Sequence, residues 1–113
     1  MKYMLLVYLE EEALSETERE QCYVTSARLA QEIHANGQYL DAAPLHPTST
    51  ATSIRVRDGK RLMTDGPFAE TKEQLGGYFL VEAKDLDEAM AMAERIPSAE
   101  GGSIEVRPVK INP

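Results

Sequence analysis

Residues 2–9, KYMLLVYL, form a nearly unbroken apolar run, and no other feature of the chain restricts its possible folds so severely. The length of the run and its Tyr, Val and Leu content favour a strand over a helix. Successive side chains of a strand point to opposite faces, so Tyr3, Leu5, Val7 and Leu9 lie on one face and Met4, Leu6 and Tyr8 on the other. A strand apolar on both faces has to be covered on both. Residues 78–83 repeat the pattern, with Tyr78 and Leu80 opposed to Phe79 and Val81. At 113 residues the chain is expected to form one domain over 1–113, and few elements remain to supply two covering layers.

The acidic triplet Glu10, Glu11, Glu12 leads to Ser15, which with Glu18 three residues later makes a capping-box signature. A helix is expected from there to about His34 or Ala35. Its apolar stripe comprises Cys22, Tyr23, Ala27, Leu29, Ala30 and Ile33, and Asn36-Gly37 stops it. A second strand over 38–43 ends at Pro44, and a Pro-, Ser- and Thr-rich loop covers 44–52. Ile54 and Val56 alternate with Arg55 and Arg57 in a third strand; Asp58-Gly59 then signals a tight hairpin into a fourth over 60–64. After the strand at 78–83, Asp85 and Glu88 open a second helix running to about Arg95, with Leu86, Ala89, Met90 and Ala93 inward. Ile104 and Val106 mark a last strand, placed by Pro108 at an edge.

The order β-α-β-β-β-β-α-β is an α+β, ferredoxin-like βαββαβ plan with an extra hairpin: an antiparallel sheet with two helices on one face. The other face is apolar and uncovered, and such a surface is rare on a monomer. A face-to-face homodimer through the sheet is the expected solution.

Residues 61–82, RLMTDGPFAETKEQLGGYFLVE, concentrate turn-forming and charged residues between two strands. The plain account of Asp65, Gly66 and Pro67 is turn chemistry, and that of Glu70, Thr71, Lys72 and Glu73 is a solvated charge cluster. The functional account is a loop closing over a pocket between the sheet and a partner. Asp65 or Glu70 would act as an acid–base carboxylate, and Lys72 or Thr71 would hold a ligand oxygen. Phe68 would wall the pocket or plug the core, and Gly76-Gly77 would permit close backbone approach. His34 is a helix-end residue. His46 is either a solvated loop residue or a general base, within possible reach of Asp41.

The segments KYMLLVY, TATSIRVRDGK, TDGPFAETKEQLGGYFLVEA, DLDEAMAMAERIP and GGSIEVRPV resemble the YCII-related family, in its branch carrying a DGPF motif. The resemblance implies a dimeric α+β barrel. It also implies frequent genomic association with alternative sigma factors, and in some relatives a cofactor-free lyase or dehalogenating activity built on a His–Asp pair. Three functions are therefore in view. One is a dimeric small-molecule-binding protein, its ligand contacted by Gly66, Pro67, Phe68, Thr71 and Lys72. The second is a lyase or isomerase using Asp65, Glu70 or His46, and the third is a regulatory partner protein.

Composition matters chiefly for what it disfavours. A net charge of −7 and a pI near 4.8 oppose direct nucleic-acid binding. The single cysteine, Cys22, rules out an internal disulfide and reads as a small apolar residue on the first helix. No run is long enough for a membrane helix and no signal-peptide pattern is present, so a cytoplasmic location is expected. The sequence contains no GxGxxG, Walker, HExxH or nucleophile-elbow motif, and Asp65 with Glu70 or Glu73 lacks the spacing of a hard-cation loop. No cofactor and no metal are expected.

Overall fold

The computed structural model describes residues 1–111. Strand β1 spans Lys2–Leu9 and helix α1 spans Glu16–Ala35. Strands β2 (Tyr39–Pro44), β3 (Thr52–Arg57), β4 (Lys60–Asp65) and β5 (Gln74–Glu82) follow, then helix α2 (Leu86–Ala93) and strand β6 (Ser103–Pro108). The main sheet has the order β2-β5-β1-β6 with every neighbouring pair antiparallel, as the ferredoxin-like plan requires. The two most apolar strands, β1 and β5, take its centre, while β6, with Pro108, forms an edge. Among the described residues, strands β3 and β4 pair only with each other, in a separate two-stranded sheet.

One face of the main sheet carries the core. Leu5 and Val7 of β1 and Phe79 and Val81 of β5 pack with Leu29 and Ile33 of α1 and with Ala89, Met92 and Ala93 of α2. Leu5, Ile33 and Val81 are fully enclosed, and burying a side chain of that size contributes about 1.5–3 kcal/mol. The opposite face presents Met4, Leu6 and Tyr8 beside Tyr78 and Leu80, with Leu6 directly across from Tyr78 and Met4 from Leu80. Both strands are thus two-faced, and this single chain places both its helices on one side.

Local signals work as expected at the element ends. Ser15 Oγ accepts from the Glu18 N–H at 3.1 Å while the Glu18 carboxylate accepts from the Ser15 N–H at 3.0 Å, completing the capping box. Gly37, at φ +75°, supplies the left-handed stop after α1. Asp58 and Gly59, at φ +52° and +74°, form the hairpin turn whose twist matches the flanking strands.

Three details differ from the expectation. Strand β5 begins at Gln74 rather than at Tyr78, because pairing with β1 continues through Leu75 and Gln74. In α2, Met92 is buried, while Leu86 and Met90 turn outward: the helix is short and its inner face is set by Ala89 and Ala93 against the sheet. In α1 only Leu29 and Ile33 are buried, so the N-terminal half of the stripe is not packed down.

Candidate functional site

Where the first half of α1 stands off the sheet, the space beneath it is a cavity of about 320 Å³, lined mostly by apolar side chains. This is at the small end of the roughly 300–1,000 Å³ range of small-molecule pockets. The floor is the inner sheet face, with Val7, Ala42 and Phe79; the roof is α1, with Cys22, Tyr23 and Ala27; the end wall is Pro44, Leu45 and Pro47.

The helix period explains the roof. Arg19, Cys22 and Ser26 are spaced to share one side of α1 with the buried Leu29, and the first three all line the cavity. Gly76 and Gly77 line the floor, and their lack of side chains has a definite use. A Cβ on Gly77 would lie 2.9 Å from the Ala43 carbonyl oxygen, so only glycine lets β2 and β5 pair this closely beside the opening. The close backbone approach read at Gly76-Gly77 is therefore made at Gly77 to a neighbouring strand.

The polar end of the cavity is built by Glu11 and Arg19. Arg19 Nη2 donates to the Glu11 carbonyl at 3.1 Å, tying α1 to the turn that precedes it. The Glu11 carboxylate accepts from the Thr48 backbone N–H at 2.9 Å and from the Thr48 hydroxyl, tying that turn to the 44–52 loop. Arg19 is the only cation lining the cavity among the described residues, and there it forms no ion pair. A guanidinium has five N–H donors in a planar fork, and only one contact of that fork, to Glu11, is formed within the described chain.

The residues singled out in the central segment lie elsewhere. Asp65, Glu70, Thr71, Lys72 and His46 are exposed, and Phe68 is 80% exposed, so it does not fill the core of this chain. None of them lines the cavity, nor do Gly66 and Pro67. Gly66, at φ +97°, donates its N–H to the Ala51 carbonyl at 2.7 Å, and its own carbonyl accepts from Ser53 Oγ at 2.8 Å. These bonds make the turn a brace across the base of the β3–β4 hairpin. Lys72 lies 4.0 Å from a Glu10 carboxylate oxygen at an exposed position, and Thr71 Oγ1 donates to the Glu73 carbonyl at 2.6 Å. Asp41 does not engage His46: it accepts from the Ala42 N–H at 2.9 Å and from the Tyr78 hydroxyl at 2.7 Å. That carboxylate pushes the Tyr78 phenol above its ordinary pKa. Tyr8, on the same outer face, is also raised, first by partial burial and then by its hydrogen bond to Glu105. No group of three or more metal-ligating side chains occurs among the described residues.

Sequence reasoning passed over Arg19, since a cation in the first turns of a helix ordinarily points to water. Its signal was positional: it continues the spacing of Cys22 and Ser26, where a solvated arginine has no reason to be. Cys22, read as a buried apolar residue, is only half-buried and opens onto the cavity.

A four-stranded antiparallel sheet with both helices on one face and a small apolar cavity beneath the longer helix defines a two-layer α+β protein of ferredoxin-like plan. The chain belongs to the YCII-related domain family, whose family model it matches over residues 1–111. It is similar to a protein of Rhizobium meliloti (strain 1021) described as uncharacterized, with 36% identity over 120 aligned residues covering 98% of this chain and 94% of that protein.

Proposed function

We propose that the protein is a homodimeric small-molecule-binding protein, paired through its open sheet face, whose ligand is a small organic carboxylate held beneath α1. The observation that carries this reading is Arg19: a guanidinium with free donors at the polar end of an otherwise apolar cavity. An arginine fork matches a carboxylate geometrically, and in a partly desolvated site such a charge-assisted contact is stronger than a neutral hydrogen bond. The volume suits an acid with one ring or a short branched chain as its apolar body. The dimer is supported by the outer row of Met4, Leu6, Tyr8, Tyr78 and Leu80, which no element among the described residues covers.

The acid–base alternative draws less support from the geometry. Asp65, Glu70 and His46 stay outside the cavity, and an effective acid or base has to reach the substrate within hydrogen-bond distance. The regulatory-partner alternative rests on the family resemblance and on the acidic surface that includes Glu10, Glu11 and Glu12.

Calorimetric titration with phenylacetate and its methyl ester, on the wild type and on Arg19→Gln, tests the ligand class. Hydrogen bonds to a charged group contribute about 1.5–3 kcal/mol, so the acid should bind the wild type about tenfold or more tightly than it binds Arg19→Gln. The ester should not distinguish the two proteins. Equal affinity of acid and ester for the wild type, or no heat with either, would rule out the carboxylate reading.

A further inference from the structure

We infer that the β3–β4 hairpin is a clasp that closes over a second copy of the chain, laying Ile54, Val56 and Met63 against its partner's open sheet face. The inference rests on the dimer proposed above and adds the element that holds it together. The hairpin is anomalous in a single chain. Among the described residues its strands pair only with each other and make only marginal contact with the other elements. An isolated two-stranded hairpin is marginally stable at best in water. The radius of gyration is 15.7 Å, against about 13–13.5 Å for a compact domain of this length, as expected if the hairpin stands away from the body.

Its two faces differ. Ile54 pairs with Met63 and Val56 with Arg61, so one face is an apolar strip ending in a cation. Ile54 is 58%, Val56 62% and Met63 60% exposed, unusual values for three large apolar side chains on one face of a strand pair. The other face carries Arg55, Arg57 and Lys60, with Leu62 as its one large apolar side chain. The hairpin thus holds four of the chain's 12 basic residues and only two of its 19 acidic ones, Asp58 and Asp65, so a basic arm projects from an acidic body.

A second copy of this chain offers the complementary surface. Its open sheet face carries the apolar row of Leu6, Tyr78 and Leu80, flanked by exposed Asp41 on β2 and Glu105 on β6. Apolar strip meets apolar row, and Arg61 meets the rim carboxylates. Complementary charge of this kind fixes register and speeds association. The Gly66 hydrogen bonds to Ala51 and Ser53 tie the two sides of the arm together at its base, so that it keeps its paired shape rather than fraying into a loose loop.

Sedimentation equilibrium on four full-length proteins tests this: the wild type, the double variant Ile54→Ser with Met63→Ser, Arg61→Glu and Leu6→Glu. Circular dichroism checks that each folds, which the exposure of the hairpin side chains favours. The clasp predicts a wild-type dimer whose dissociation constant rises at least tenfold in both hairpin variants, together with slow exchange of the hairpin amides in the wild type alone. If the hairpin variants associate as tightly as the wild type while Leu6→Glu gives monomers, the clasp is overturned and the sheet-face dimer stands. If the hairpin variants dissociate and Leu6→Glu does not, the hairpin does not seat on the sheet face and the inference is overturned. A wild-type monomer at every concentration overturns both.

Discussion

A methyl group at residue 77 would meet the Ala43 carbonyl oxygen at 2.9 Å and the Pro44 Cα at 3.3 Å, both backbone atoms of a paired strand that cannot easily yield. At residue 76 the nearest obstacle is the end of the Leu9 side chain, which can rotate away. Gly77→Ala should therefore cost about 1–3 kcal/mol, as other overpacking substitutions do, and Gly76→Ala distinctly less, when both are unfolded in urea. Equal losses would mean that the β2–β5 pairing is looser than its geometry indicates. The Gly76-Gly77 pair also shows how far a sequence can be read at this scale. That the backbone comes close to something there was legible from composition; that the neighbour is Ala43 depends on the pairing of β2 with β5, which no local signal specifies.

Helix α1 shows the limits of periodicity at the scale of an element. Its cap, stop and apolar stripe were all legible, because each depends on chemistry within a few residues. The height of the helix above the sheet was not, since that follows from what packs beneath its other end. Leu29 and Ile33 are clamped to the sheet, whereas Cys22, Tyr23 and Ala27 roof the cavity. The capping box gives the element its own test. The hydrogen bond from the Ser15 backbone N–H, followed by that with its side chain, holds the Glu18 carboxyl below its ordinary pKa. A carboxyl depressed in the folded state contributes stability that is present above its unfolded pKa and is lost as pH falls through its folded one. Ser15→Ala should cost about 1 kcal/mol at neutral pH through the lost cap. Glu18→Gln should instead flatten the decline in stability on the acid side of the ordinary glutamate range, measured by urea unfolding across pH. If Glu18→Gln tracks the wild type at every pH, the box contributes nothing through charge.

At the scale of the molecule, the proposals rest on two surfaces: the cavity under α1 and the open sheet face with its projecting arm. The open sheet face was foreshadowed by KYMLLVYL, because a strand apolar on both sides, with two helices to cover one of them, leaves the other bare whatever the order of the other strands. The cavity was not, since a void is a property of how α1, β2 and the 44–52 loop meet, and no single segment encodes it. The conspicuous central motif marked a real structural junction, the base of the arm, where turn residues and hydrogen bonds gather. The central claim, a carboxylate ligand under α1, is tested most directly by amide NMR of the wild-type protein titrated with phenylacetate. The account predicts that the Arg19 side-chain signal and the amides of Cys22, Ala27, Gly76 and Gly77 shift together and saturably. Shifts confined to His46 and residues 65–73, or no saturable shifts at all, would contradict it.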